Sequence, residues 1–201
     1  MLGKAVRQCR LYSKSDGTRK IAETPRRFHV ENMPQGTYII IPRVSSEKRK
    51  YIPIGFITPD ILASDSAHII PNATLYHFGI LTSSVHNAWT RAICGRLKSD
   101  YRYSKDIVYN NFVWPNATDE QKATIEKLAQ GVLDARAKFP ESSLADLYDP
   151  LAMPPELLKA HRELDKAVMK LYGFGKDVSE AEIVAELMGR YQILLKKDDL
   201  I

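Results

Sequence analysis

This 201-residue chain has only two cysteines and lacks glycine-rich loops and long apolar runs. Cys9 and Cys94 are its only cysteines and lie far apart in sequence. A disulfide between them stays open on sequence alone, and two reduced thiols in the cytoplasm are the expectation. The five histidines are scattered, with no close Cys/His spacing, which argues against a metal site of the zinc type. No window approaches the roughly eighteen consecutive apolar residues of a membrane span. The first residues, MLGKAVRQCRLYSKSDG, are basic but have no apolar centre and no small-residue cleavage site, so no secretory signal is read there. The expected setting is cytoplasmic, with no membrane partner.

Catalytic patterns are missing as well. Gly173-Phe174-Gly175 lacks the third glycine and the preceding strand of a nucleotide loop. There is no GxSxG elbow, no HExxH and no paired CxxC. Pro59-Asp60 with the distant Glu120-Gln121-Lys122 is too loosely spaced for a metal-dependent nuclease. Cys94 is followed by Gly95 and Arg96, but no base is placed beside it, and it falls on an apolar helical stripe as a packing residue. No catalytic residue and no metal ligand is assigned.

What is present is an uneven charge. Residues 1–115 hold 17 Lys and Arg against 8 Asp and Glu, whereas residues 116–201 hold 12 against 16. A basic front and an acidic back point to a polyanionic partner for the front alone. The periodicities divide at the same place, after Trp114-Pro115. They give an α+β chain: a mixed small β-sheet domain with one long packing helix over residues 1–115, followed by an all-α helical bundle over residues 116–201.

In the front, Arg26–Val30, Thr37–Ile41, Tyr51–Ile57 and Ala67–Ile70 are rich in β-branched and aromatic residues and read as strands, with Asn32–Gly36 as a turn. Residues 1–25 read as a short helix or strand with weak order through Ser13–Gly17. Arg43–Lys50 reads as a basic hairpin tip on a β-ribbon. Leu75, Phe78, Leu81, Val85, Trp89 and Ile93 recur at helical spacing, so one helix is expected from an Asn72 cap to a Gly95 stop. At 3.6 residues per turn His77 and His86 fall on opposite faces of it.

The bundle begins at a capping box, Thr118 with Gln121, whose helix runs through Ala137. Ser142–Tyr148 makes a short helix, Pro154-Pro155 opens another that ends at Gly173, and Ser179 with Glu182 caps the last.

Arg91–Pro115, RAICGRLKSDYRYSKDIVYNNFVWP, interleaves cations, tyrosines and the amide pair Asn110-Asn111 on a turn-rich segment. Cations meet phosphates, while amides and forked donors read base edges. Arg43, Lys48, Arg49, Arg96, Arg102 and Lys105 are the candidates for phosphate contact. Stacking on single-stranded nucleic acid, a docking surface for a protein partner, and a plain solvated hairpin remain open alternatives for the same segment.

The segments LYHFGILTSSVHNAWTRAICGRLKSDYRYSKDIVYNNFVWP (Leu75–Pro115) and SSLADLYDPLAMPPELLKAHRELDKAVMKLYG (Ser142–Gly173) closely resemble the C-terminal part of the MmeI-like type IIL restriction–modification enzymes. This copy departs at Val113, where a proline is common. The resemblance implies a DNA target recognition domain followed by the family's C-terminal helical domain. The family's methyltransferase needs a glycine-bearing cofactor motif and an Asn-Pro-Pro-Tyr motif, and neither stands in this sequence; Met153-Pro154-Pro155-Glu156 is a helix start. S-adenosylmethionine and Mg therefore belong with catalytic domains outside these residues. The implied partners are double-stranded DNA and a DNA methyltransferase domain or subunit. By the same resemblance Lys98 and Asp100 fall where the family reads a base pair. The Ser64–Ser66 turn, with Ser66, is a weaker candidate for a second reading position. Lysine donates to guanine O6 and N7, and aspartate accepts from cytosine N4, so one G·C pair satisfies both.

Overall fold

The computed structural model describes residues 2–28 and 34–198, which fall into two compact units, residues 1–35 and 36–201. In the first, α1 (Leu2–Leu11) and α2 (Asp16–Lys20) are joined by a turn, and Ser15 caps α2 by accepting from the Thr18 N–H. Ser13–Gly17, expected to be weakly ordered, is tied to α2 by Arg19, which donates to the Ser13 carbonyl at 2.6 Å. The residues after α2 are tied to α1 by Arg10, whose guanidinium donates to the carbonyls of Ile21, Thr24 and Arg27 at 2.6–2.8 Å. The expected strand at 26–30 is not formed at Arg26–Phe28, which turn instead. His29 and Val30 lie outside the described residues, as do Asn32 and Met33 of the expected Asn32–Gly36 turn.

The second unit is built on one bent strand. Its first part, β1 (Tyr38–Pro42), lies between β3 (Gly55–Ile57) and β4 (Ala67–Pro71), both antiparallel to it. After Arg43 the chain continues as β2 (Val44–Ser45), which pairs with β6 (Asp100–Arg102), itself paired with β5 (Gly95–Leu97). Arg43 belongs to both ladders: its N–H donates to the Ser66 carbonyl at 2.9 Å and its carbonyl accepts from the Tyr103 N–H at 2.8 Å. The expected ribbon through Arg43–Lys50 is therefore replaced by a strand that changes sheets. Tyr51–Pro53 are irregular, because Pro53 has no N–H to give and the Ile52 N–H goes to the Asn87 side chain at 2.9 Å.

The single long helix expected here is two helices. α3 (Leu75–Thr82) ends and α4 (Ser84–Ile93) begins at Ser83, which is extended at φ −70°, ψ 160°. Buried Asn87 bridges the break, donating to the carbonyls of Thr82 and Ser83. The apolar spacing runs through the break unchanged, which is why the pattern alone shows no interruption. The N-cap is Thr74 rather than Asn72, which takes a left-handed conformation at φ 57°.

A π-helical turn (Lys105–Tyr109) then leads to α5 (Asp119–Ala137), α6 (Leu144–Leu147), α7 (Pro155–Tyr172) and α8 (Glu180–Asp198). The capping boxes at Thr118/Gln121 and Ser179/Glu182 form as the sequence implies, and Gly173 closes α7 in the left-handed conformation at φ 78°. Packing is continuous across residues 115–116. One core contains Ile39, Phe78, Leu81 and Trp89 together with Ile125, Val132, Leu164 and Leu187. Gly79 lets α3 approach α5 so closely that an added Cβ would lie 2.6 Å from Ile125 Cγ2. No helix among the described residues is long and apolar enough to cross a membrane.

Candidate nucleic-acid interface

β5 and β6 form a hairpin closed by Lys98 and Ser99, with Leu97 opposite Asp100, Arg96 opposite Tyr101 and Gly95 opposite Arg102. Lys98 has φ 57°, and Ser99 is not left-handed, the sign pattern of a II′-type two-residue loop. Lys98 is thus in the loop and not on an extended strand, so strand alternation does not make it parallel to Asp100. Asp100 shares its face with Arg102, while Tyr101 and Tyr103 turn inward and are buried. Residues directly opposite in an antiparallel pair share a face, which adds Leu97 and Val44 to that of Asp100 and Arg102. The outward face of this sheet therefore carries an acid, a guanidinium and two exposed aliphatic groups. Among the described residues, Lys98, Asp100 and Arg102 make no side-chain hydrogen bond or ion pair, and the Asp100–Lys98 or Asp100–Arg102 surface pair that would make the site inert is not formed.

The other cations divide by how they are held. Arg96 stacks its guanidinium 4.2 Å from the Tyr101 ring centroid and donates to the Ser99 carbonyl at 3.1 Å, which stiffens the hairpin. Arg43 donates to the Asp65 carbonyl at 2.8 Å, so its side chain ties the sheet junction to the Ser64–Ser66 turn. In that turn the Ser66 hydroxyl is exposed and lies 2.5 Å from the Ser64 hydroxyl. Lys48 is exposed on the turn after β2, which leaves the sheet at the end where the Lys98-Ser99 loop lies. Arg49 reaches the Ala145 carbonyl in α6 at 3.3 Å and points toward the helices. Lys105 has only an exposed pairing with Asp106, at 3.8 Å.

Between β4 and the β6–π-turn segment lies a groove of about 990 Å³, whose polar lining includes Arg43, His68, Arg102, Lys105, Asp106 and Asn110. The structure thus brings Arg43, Ser66, Arg102 and Lys105 together around the sheet junction, sets Lys98, Asp100 and Lys48 at the hairpin end, and turns Arg49 away. His68 joins the groove by pairing in β4, and its sequence neighbourhood, Ala67-His68-Ile69-Ile70, reads only as a short strand and carries no sign of it. Asn111 is structural: its side chain donates to the carbonyls of Asp106 and Ile107 and accepts from the Tyr191 hydroxyl.

Beneath the hairpin, His86 is fully buried, 3.0 Å from the Tyr103 hydroxyl, and burial drives its pKa down to about 3. It is therefore a neutral packing group. The same burial raises the Tyr103 hydroxyl. Half-burial raises the Cys94 thiol, which packs against the core, and both cysteines are free. No group of three His, Cys, Asp or Glu among the described residues is arranged to hold a metal.

A pair of small antiparallel sheets, one carrying a cationic hairpin and backed by helices that share its core, places this chain in the α+β class. It belongs to the MmeI family, with residues 3–116 matching the MmeI target recognition domain and residues 117–198 the MmeI C-terminal domain. It is 38% identical over 185 residues to DNA methyltransferase A of Bacillus subtilis (strain 168), covering 92% of this chain and 21% of that protein. Its fold is similar to that in the solved structure of the type IIL restriction–modification enzyme MmeI in complex with DNA. That similarity has a TM-score of 0.88 and 44% identity, over 96% of this chain and 26% of the other. The chain thus spans about a fifth to a quarter of the length of the relatives it matches.

Proposed function

We propose that this chain reads a double-stranded DNA target on behalf of an adenine-N6 methyltransferase and endonuclease, in the cytoplasm, and performs no chemistry of its own. The observation that carries the reading is the hairpin end, where Lys98 and Asp100 stand unpartnered beside a stiffened Arg96–Tyr101 stack. A base-reading group must be held in place by its neighbours while its own donors and acceptors stay unused. Lys98 and Asp100 specify a G·C pair, worth roughly 1–3 kcal/mol of discrimination. Ser66 is a second reading position, placed near the groove by the Arg43 junction.

Arg43, Lys48, Arg49, Arg96, Arg102 and Lys105 were the expected phosphate contacts. Lys48, Arg96, Arg102 and Lys105 are the exposed ones and are assigned that role; Arg43 and Arg49 hold the scaffold first. Four phosphate contacts give a salt slope of about −3.6 in log K against log salt. S-adenosylmethionine and Mg would act in the methyltransferase and nuclease domains of the longer relatives, with which residues 1–115 and 116–201 cooperate as reader and support.

Selection from randomised duplex DNA is the test. The wild-type chain is expected to enrich one sequence, and Lys98→Glu with Asp100→Arg to change the preferred base at one position. Unchanged preference at every position refutes the base-reading assignment. Equal binding of single strands in competition, or a flat salt response, refutes the duplex reading.

A further inference from the structure

We propose that Asp165 and Glu180 are positioning residues that hold the two ends of α4 and thereby fix the attitude of the base-reading hairpin. The inference rests on the recognition role argued above and deepens it, by assigning the helices beyond residue 116 a share in specificity.

At the start of α4, the Ser84 N–H donates to Asp165 Oδ1 at 2.7 Å, and the Tyr51 hydroxyl donates to Asp165 Oδ2 at 2.6 Å. The carboxylate of α7 thus occupies a helix N-terminus, where exposed N–H groups and the helix dipole favour negative charge. Asp165 is only 7% exposed, and these donors, together with the Ser84 side chain and the nearby Lys50 charge, favour its carboxylate form. Burial raises its pKa, while the hydrogen bonds from Tyr51 and Ser84 and the Lys50 charge oppose that rise. At the far end, Arg91 donates through Nε and Nη2 to the two oxygens of Glu180, the first residue of α8, at 2.7 and 2.8 Å. Its Nη1 reaches the Lys50 carbonyl at 3.2 Å.

Between this clamped helix and β5 stands one residue, Cys94, whose N–H closes α4 on the Thr90 carbonyl at 2.9 Å. There is no linker to absorb a displacement. Lys98 lies four residues past Cys94, a reach of about 13 Å at roughly 3.3 Å per residue. A tilt of α4 by some 10° therefore moves the reading end by about 2 Å, enough to break hydrogen bonds that need 2.7–3.2 Å.

The test uses the full chain carrying Glu180→Gln with Arg91→Lys, and separately Asp165→Asn. Asparagine keeps the size of the side chain but leaves one of its two donors facing an N–H₂ group. Three quantities are read: the thermal midpoint, the orientation of residues 95–102 relative to α4 from residual dipolar couplings, and the affinity ratio between the duplex selected by the wild type and its single-base-pair variants. The expected result for the double variant is a changed hairpin orientation and a three- to tenfold loss of discrimination, on the order of what coupling residues supply. Binding to an unrelated duplex and the thermal midpoint should stay close to wild type. Unchanged couplings overturn the inference, and so does a parallel fall of discrimination, non-specific binding and thermal midpoint, which would mark a purely structural role. A wild-type chain that selects no duplex, with couplings that still change in the variants, leaves the mechanical clamp standing and refutes the recognition role instead.

Discussion

Residues 1–116, produced without the helices that follow, are expected not to fold. The reason is quantitative. Tyr51 stacks on His161 at 4.1 Å, Phe78 lies under the Arg136 guanidinium at 5.1 Å, Trp89 meets Tyr191 at 6.3 Å, and Phe112 meets Tyr172 at 6.4 Å. Each of these four side chains is at most 5% exposed in the full chain. Full exposure would cost about 1.5–3 kcal/mol apiece, and although Phe78 and Trp89 keep their contacts with Phe56 and Phe112, the loss runs up to about 6–12 kcal/mol. A domain of this size is stable by only about 5–15 kcal/mol in total. The polar losses add to this, since the Ile54 carbonyl loses Arg136 and both the Tyr51 hydroxyl and the Ser84 N–H lose Asp165. The fragment should give a collapsed amide spectrum, bind an apolar dye and show no cooperative thermal transition. Adding residues 117–201 in trans should restore dispersion. A dispersed spectrum with a sharp melting transition from residues 1–116 alone would show that the shared core is not what holds the sheets, and would refute the reasoning.

Lys98→Gly should keep or raise stability, by up to roughly 1 kcal/mol, because glycine takes positive φ without strain, whereas Lys98→Val should lower it; chemical denaturation measures both, and both should lose the same base preference. Gly79→Ala should destabilise by about 1–2 kcal/mol, the overpacking against Ile125 outweighing the better helix propensity of alanine, and Ile125→Leu, which removes the offending Cγ2, should recover part of the loss. Stability should fall in acid, because buried His86 and His161 have pKa values near 3 in the folded chain and bind protons near 6.5 when unfolded. Their contribution is complete above the unfolded value and is lost as pH falls toward 3, at up to about 1.4 kcal/mol per pH unit for each histidine. Asp165 works in the opposite sense: its raised pKa makes the folded state hold a proton that the unfolded state releases above 3.8, so His161→Asn should flatten the profile and Asp165→Asn should steepen it. Urea unfolding at a series of pH values checks this, and a profile flat from pH 7 to pH 4 would contradict it.

The helical half was largely legible in the sequence because its signals are local. Thr118 with Gln121, Ser179 with Glu182, the Pro154-Pro155 start and the Gly173 stop each act within a few residues, and each element forms where those residues stand. The break at Ser83 was not legible, since the apolar spacing continues through it and one group that heals it, Asp165, lies far away in sequence, while nearby Asn87 gives no sign by type alone that it will. The sheet changes hands at Arg43 because both its backbone groups find partners, on β4 and on Tyr103, and no local pattern announces a residue shared by two ladders.

By itself, the sequence determined the α+β order, the basic front and acidic back, the helix ends and the cation-rich stretch from Arg91 to Pro115. Charge, capping and periodicity are properties of neighbours along the chain. Tertiary structure alone decided that Lys98 sits in a left-handed loop, that Asp100 and Arg102 share one face with Leu97 and Val44, and that Arg49 serves the helices. It also decided that the sheets and the helices share one core, because burial and register depend on which distant residues arrive opposite one another.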